Sequence, residues 1–212
     1  DLNRSVYAFN KGVDSAIIRP VAVTYDRVTP QPAKQGIENF FTNLSSPWVS
    51  TQLLLQGRFR DGSEQMGRFL INSIYGVGGF WDVADQNNLP EHDTDLGATL
   101  AAWGWKNSTF LMLPLLGPST VRDGFGQITT IIVEPLDQAV RERAGAGVTV
   151  LNVVQIRAGL LSLDETVADS YDEYAFIRDG WLQRREYQLF GEDAALPDYD
   201  EFLEEDVENY DP

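Results

Sequence analysis

Few residues in this 212-residue chain are equipped for covalent chemistry: His92 is the single histidine, and there is no cysteine. A hydrolase needs a nucleophile activated by a base that a third group orients. The set on offer is Ser119 with His92 and Asp93 or Asp95. Ser119 stands in Gly117-Pro-Ser-Thr120, without the Gly-x-Ser-x-Gly spacing of a nucleophile elbow. The competing role for Ser119 and Thr120 is to cap the turn into Val121-Arg-Asp123. Asp82, Asp85, Glu91, Asp93 and Asp95 offer oxygen ligands of the kind a divalent cation takes, with His92 beside them. They lack EF-hand spacing, and short acids in loops commonly cap helices and turns. No catalytic residue and no metal ligand is therefore assigned, and no cofactor is expected. Arg68, Arg122 and Asp123 lie beside apolar segments, where a charge must be paired. They form either a salt-linked cluster holding those segments or, in a membrane, the polar wall of a water-filled cavity.

The elements that must position these residues centre on 67–126. Nine of the chain's 18 glycines fall there, at 67, 76, 78, 79, 97, 104, 117, 124 and 126. That density marks turns and close backbone approach. Between the turns run the uncharged stretches Phe69–Trp81, Leu96–Trp105 and Asn107–Val121. All are shorter than the roughly 20 residues a spanning helix needs, so they enter one leaflet or fill a core, and no spanning segment is expected. Phe110-Leu-Met-Leu-Pro-Leu-Leu-Gly-Pro118 carries two prolines, which exclude an ordinary helix interior. It reads as an apolar hairpin or re-entrant loop bearing Phe110, Leu111, Leu113, Leu115 and Leu116.

Elsewhere the spacing is helical. Helices are expected over Arg4–Ile18, over Pro20–Val28, and around Ile37, Phe40, Phe41 and Leu44, the last closed by Ser45-Ser46-Pro47. A further helix starts at Pro47, and another runs from Ser63 to Tyr75 into the Gly76-Val-Gly-Gly79 loop. Pro135 starts a helix that turns at Gly145-Ala-Gly147 and returns from Val148 to Leu161. Ser162-Leu-Asp-Glu165 reads as a capping box opening a long helix to Phe190, packed through Val167, Tyr171, Tyr174, Trp181 and Leu182. With no alternating strand pairs, the fold class is all-α: a single-domain bundle over 1–190 with Gly/Pro-rich apolar hairpin loops. Net charge is −16. The last 22 residues hold ten acids and no base, which leaves −6 on residues 1–190. Residues 191–212 are thus expected to be an acidic, disordered tail. Nucleic-acid binding, which needs clustered Lys and Arg, is disfavoured.

The pattern Arg68-Phe-x-x-Asn-Ser-x-x-Gly-x-Gly-Gly-Phe-x-Asp-Val-Ala84, followed by Leu113-Pro-Leu-Leu-Gly-Pro-Ser-Thr-Val-Arg-Asp-Gly124, resembles the MlaA (VacJ) lipoprotein family. Asn3-Arg-x-x-Tyr-x-Phe-Asn10, Arg19-Pro-x-Ala-x-x-Tyr25, Asn39-Phe-Phe-x-Asn-Leu-x-x-Pro47 and Leu54-Leu-Gln-Gly57 extend the resemblance over about residues 3–190. It implies a helical ring in the periplasmic leaflet of the outer membrane, made with a signal and a lipid anchor upstream of Asp1. It also implies a function: passing misplaced phospholipids from the outer leaflet through an amphipathic channel, beside a trimeric porin, to a soluble periplasmic carrier. In such a channel Arg68, Asn72, Ser73, Ser119 and Arg122 are the expected headgroup contacts. The Gly76, Gly78 and Gly79 loop, with the facing Phe40–Asn43 segment, is the expected gate. The Glu134–Leu161 helical hairpin is the expected porin contact, with core packing its equal rival. The reading from another class is a soluble all-α lipid hydrolase or acyl-binding enzyme using Ser119 and His92.

Overall fold

In the computed structural model, which describes residues 2–191, eleven α-helices and one β-hairpin account for most of the chain. Helix α1 (Leu2–Val13) runs through one π-helical turn (Asp14–Ile18) into α2 (Arg19–Val28). Helix α3 (Gln31–Leu55) and α4 (Phe59–Ile74) form an antiparallel pair. Short helices α5 (Val83–Gln86) and α6 (Leu96–Ala102) lead to strands β1 (Phe110–Leu113) and β2 (Gly117–Thr120). Helices α7 (Val121–Val133), α8 (Pro135–Ala144), α9 (Ala146–Gly159), α10 (Asp164–Ala168) and α11 (Glu173–Phe190) complete the order. The reading of 191–212 as a disordered tail falls, beyond Gly191, outside the described residues.

Contacts run in a closed circuit. The α1 helix packs on β1, β2 on α7, α7 on α6, α6 on α3, α3 on α9, and α9 on α2, which continues α1. The helices therefore form a ring-like arrangement rather than layers around one oily centre. Among the described residues, the buried apolar side chains are only Ala22, Val49, Leu53, Ala84, Ala101, Met112, Val154 and Tyr174. Buried polar and charged residues outnumber them. The α3–α4 seam shows how this is done: Ser50 Oγ donates to Gly62 O at 2.7 Å, and Gln65 Nε2 to Ser46 Oγ at 3.1 Å. Gly62 permits the approach, since a β-carbon there would lie 2.9 Å from Leu54.

The structure corrects five expectations. Pro47 does not divide two helices; it sits inside the continuous α3. The ring loses one backbone donor, but Ser46 Oγ donates to Thr42 O and Thr51 Oγ to Pro47 O, while packing on α4 holds the axis. Ser162 does not cap a long helix. A 3₁₀ turn (Leu161–Leu163) and α10 come first, and Asp172 caps α11 by accepting from Ala175 N–H. The packed face of that region includes buried Tyr174 but not Tyr171, which is fully exposed. The apolar segment is a hairpin, one of its two expected forms, but a strand pair where none was expected, with Phe110 opposite Thr120, Leu113 opposite Gly117, and Pro114, Leu115 and Leu116 in the turn. Finally, the helical stretch Ala146–Ala168 is long and apolar enough to cross a membrane, and little of it is buried. Its one basic residue, Arg157, is paired with Asp14 and Asp164, and the supposed cap at Ser162 divided the run in the sequence.

Candidate functional site

Helix α4 carries Arg68 and Asn72 one turn apart, so both project from one face. Both are buried, and both reach Asp82, which caps α5 by accepting from Asp85 N–H. Arg68 Nη2 donates to Asp82 Oδ2 at 2.6 Å and Asn72 Nδ2 to Asp82 Oδ1 at 2.9 Å. The other Arg68 terminal nitrogen donates to Leu89 O, and Asn72 Oδ1 accepts from Ala84 N–H at 2.8 Å. Burial alone would push the Asp82 carboxyl up. The Asp85 N–H, Asn72 and the Arg68 guanidinium outweigh it and hold the carboxyl below its usual range. These residues wall a polar cavity of about 110 Å³ between α3, α4 and the 82–91 loop, together with Glu38, Asn43 and Glu91.

The Gly76–Gly79 turn closes over one side of this region. Gly78 and Gly79 have φ of +72° and +98°, and Val77 is left-handed at +54°, a conformation that is costly for a β-branched residue. Asn43 Nδ2 donates to Ser73 Oγ at 3.0 Å, and Phe80 stacks on Phe40 with centroids 5.2 Å apart. The Phe40–Asn43 segment thus faces the glycine turn.

Ser119 and Arg122 do not join Arg68 and Asn72. They lie at the base of the hairpin in a second buried cluster. Arg122 Nε donates to Asp123 Oδ1 at 2.9 Å, and its Nη1 donates to the carbonyls of Trp105 and Lys106. Arg185, from α11, donates to Asp123 Oδ1 at 2.8 Å and to Asp95 Oδ1 at 2.7 Å. Burial opposes the Asp123 charge, but the hydrogen bonds from Arg122 and Arg185 prevail and lower its pKa to about 2. Gly97 makes room for this knot, since a β-carbon there would lie 2.2 Å from Asp123 Oδ1. The sequence gives no sign of Arg185's role. The Asn3…Asn10 spacing, by contrast, was readable: two helical turns place both on one face of α1. Asn3 bonds Phe110 O and Met112 N–H, while Asn10 bonds Leu113 O and Leu115 N–H, occupying the open edge of β1.

The Ser–His–Asp set is not assembled. Ser119 is 0% exposed and donates to Thr120 O, while His92 Nε2 lies 3.0 Å from Glu64. Nor do the loop acids gather as one cation site. Asp82 serves Arg68 and Asp95 serves Arg185; His92 instead groups with Asp61 and Glu64, whose carboxylates pair with Arg58 and Arg60. Phe110, Leu111 and Leu113 are half-buried, and Leu115 and Leu116 are exposed at the hairpin tip.

A model of the MlaA lipoprotein family matches residues 1–188. This chain belongs to the MlaA lipoprotein family. The intermembrane phospholipid transport system lipoprotein MlaA of Escherichia coli (strain K12) is 35% identical over 196 residues, covering 87% of this chain and 75% of that protein. The protein of the same name from Haemophilus influenzae is 26% identical over 215 residues, covering 98% and 84%. A solved structure described as the structural basis for maintenance of bacterial outer membrane lipid asymmetry superposes with a TM-score of 0.75 at 32% identity. It covers 88% of this chain and 96% of that one.

Proposed function

We propose that the chain acts in intermembrane phospholipid transport and maintains the lipid asymmetry of the outer membrane. The observation that carries this reading is the inversion of the usual burial pattern. Arg68, Asn72, Arg122, Asp123 and Arg185 are buried. Ile128, Ile131, Ile132, Val150, Val153, Ile156, Leu160 and Trp103 are exposed. In water such an apolar exterior is unfavourable; in a leaflet it is the natural surface, and the polar interior becomes a route for headgroups.

Misplaced phospholipids leave the outer leaflet through the ring, beside a trimeric porin, and reach a soluble periplasmic carrier. The full-length protein is held in the periplasmic leaflet by its lipid anchor. The cavity lined by Arg68 and Asn72, with Ser73 behind its Asn43 wall, forms the headgroup path, and the Gly76–Gly79 turn with Phe40–Asn43 controls access to it. Ser119 and Arg122 brace the hairpin rather than touch lipid. Passage needs differential affinity along the route and no covalent step. Purifying the full-length protein from native membranes tests the reading: phospholipid, a β-barrel porin and a periplasmic carrier are expected to co-elute. Recovery from the soluble fraction without lipid overturns it.

A further inference from the structure

We infer that the groove between α2 and α9 seats one phospholipid, with an acyl chain along its floor and the phosphodiester on Arg19. This rests on the phospholipid reading above and adds a second lipid site, on the wall of the ring and apart from the Arg68 cavity. The groove has a volume of about 550 Å³, within the roughly 300–1,000 Å³ of pockets that bury small ligands. Val21, Tyr25 and Val28 line it from α2, and Val150, Leu151 and Val154 from α9; no charged side chain lines it. Thr24, on the same wall, spends its hydroxyl on Pro20 O at 2.9 Å. Val154 is the buried floor, whereas Val21, Val28 and Val150 stand exposed at the sides. The α2 stripe from Val21 to Val28 runs about 10 Å along the helix. An elongated apolar trough of this kind suits a hydrocarbon chain.

The charge at one end of the groove says what fills it. Arg157, three residues beyond Val154, bonds both Asp14 and Asp164. Asp164 also accepts from Arg19 Nε at 2.7 Å, and Arg19 immediately precedes Pro20, which lines the groove. Asp164 thus holds Arg19 by its Nε at the mouth of the groove. The two terminal nitrogens of Arg19 meet no acceptor among the described residues, and the side chain is half-exposed. They present the planar fork that phosphate oxygens accept. An anion joined to a long apolar chain matches both features. A soluble anion would leave the groove bare, and an apolar side chain from a partner would leave the guanidinium unused. The outer wall of a β-barrel is convex, and it meets ridges such as Val153, Ile156 and Leu160 better than it fills a groove.

The test photolabels the full-length protein in phosphatidylcholine liposomes with two probes carrying a diazirine in one acyl chain. One probe is phosphatidylglycerol and the other is diacylglycerol, which lacks the phosphate. Adducts mapped to Leu151 and Val154 are expected to be about tenfold more frequent with phosphatidylglycerol, as one charged hydrogen-bonded contact implies. Arg19→Gln should remove most of that preference. Gly147→Leu should lower the adducts about tenfold: Gly147 lines the groove and a β-carbon there meets open space, so the longer side chain fills the trough without a clash. Val150→Trp, at an exposed position, fills it independently, and both variants should keep the melting temperature. Equal adducts from the two probes mean unspecific contact with the bilayer and overturn the seat, as do adducts undiminished in both filled variants. Inorganic phosphate abolishing the phosphatidylglycerol preference assigns Arg19 to a soluble anion and overturns it. A porin trapped by a crosslinker at Leu151 assigns the groove to protein and also overturns it. In each such case, phospholipid still co-eluting with the protein from native membranes leaves the transport reading standing, and its absence removes both.

Discussion

Gly79 sits directly against Asn43: a β-carbon at Gly79 would lie 2.6 Å from the Asn43 Cβ. Its neighbour Gly78, also at positive φ, faces open space. The pair therefore separates backbone strain from displacement of the cavity wall. Each Gly→Ala change costs about 1 kcal/mol or more through its positive φ. Only Gly79→Ala also pushes Asn43 off Ser73. Lipid flux in Gly79→Ala is expected to change by more than the loss of folded protein, whereas Gly78→Ala should show only the fold penalty. Flux and melting temperature measured together decide it; flux in Gly79→Ala that merely tracks folded protein would mean that the turn shapes the fold and gates nothing.

Asp123 joins the hairpin base to α11, and its removal leaves Arg122 and Arg185 facing each other in a buried site. Asp123→Asn is expected to destabilise by about 3–5 kcal/mol, read by denaturant unfolding in detergent. The pH dependence follows from the lowered carboxyl. Its folded pKa, about 2, lies below the unfolded value of about 3.9. The stability it contributes is full above the unfolded value and is lost as pH falls through 4 toward 2. The difference in stability between the native protein and Asp123→Asn should therefore shrink across that window. A difference independent of pH between 6 and 2 would show that the charge contributes nothing.

Most of the helices are readable because helical periodicity and glycine turns are local signals, whereas their closure into a ring is implied only by the family resemblance. The Phe110–Pro118 run marks the hairpin's place through its two prolines and its apolar side chains. What was misread depends on distant partners. Pro47 looks like a helix boundary until α4 is packed beside it. Ser162 looks like a cap until Asp164 is seen engaged with Arg19 and Arg157. The candidate headgroup set is half assembled: Arg68 and Asn72 share a cavity, whereas Ser119 and Arg122 lie at a knot completed by Arg185, which bonds Asp123 from 62 residues away in sequence. No periodicity encodes that distance. Glu38 carries no signal in the sequence, and only the fold shows it lining the cavity.

The hairpin tip offers a test of membrane contact that spares the fold. Leu115 is 64% exposed and left-handed at φ +63°, and Leu116 is also exposed. Aspartate tolerates the left-handed region better than leucine, so Leu115→Asp with Leu116→Asp should leave the melting temperature nearly unchanged. Release from liposomes, measured by flotation, is the expected result. Undiminished flotation would remove the tip from the membrane-contacting surface.

The exposed stripe on α9 poses the last question: whether protein or lipid covers it. Val153, Ile156 and Leu160 follow helical spacing on the solvent side, while Val154 on the opposite side is buried and Leu151 faces α2 across an apolar groove. Lipid alone would cover such a stripe, but the α8–α9 hairpin also begins at the glycine turn 145–147, and α9 packs through α2 and α3 into the ring wall. A rigid partner there would hold the ring at a fixed tilt, which a fluid leaflet cannot do. Photo-crosslinkers at 153 and 156 are therefore expected to trap a β-barrel protein in intact cells, and a crosslinker at 154 to trap none. Val153→Asp with Ile156→Asp should lower porin co-purification several-fold, with liposome flotation retained through the hairpin tip. Crosslinks to lipid only, with porin co-purification intact in the double variant, would assign the stripe to the leaflet and place the porin contact elsewhere.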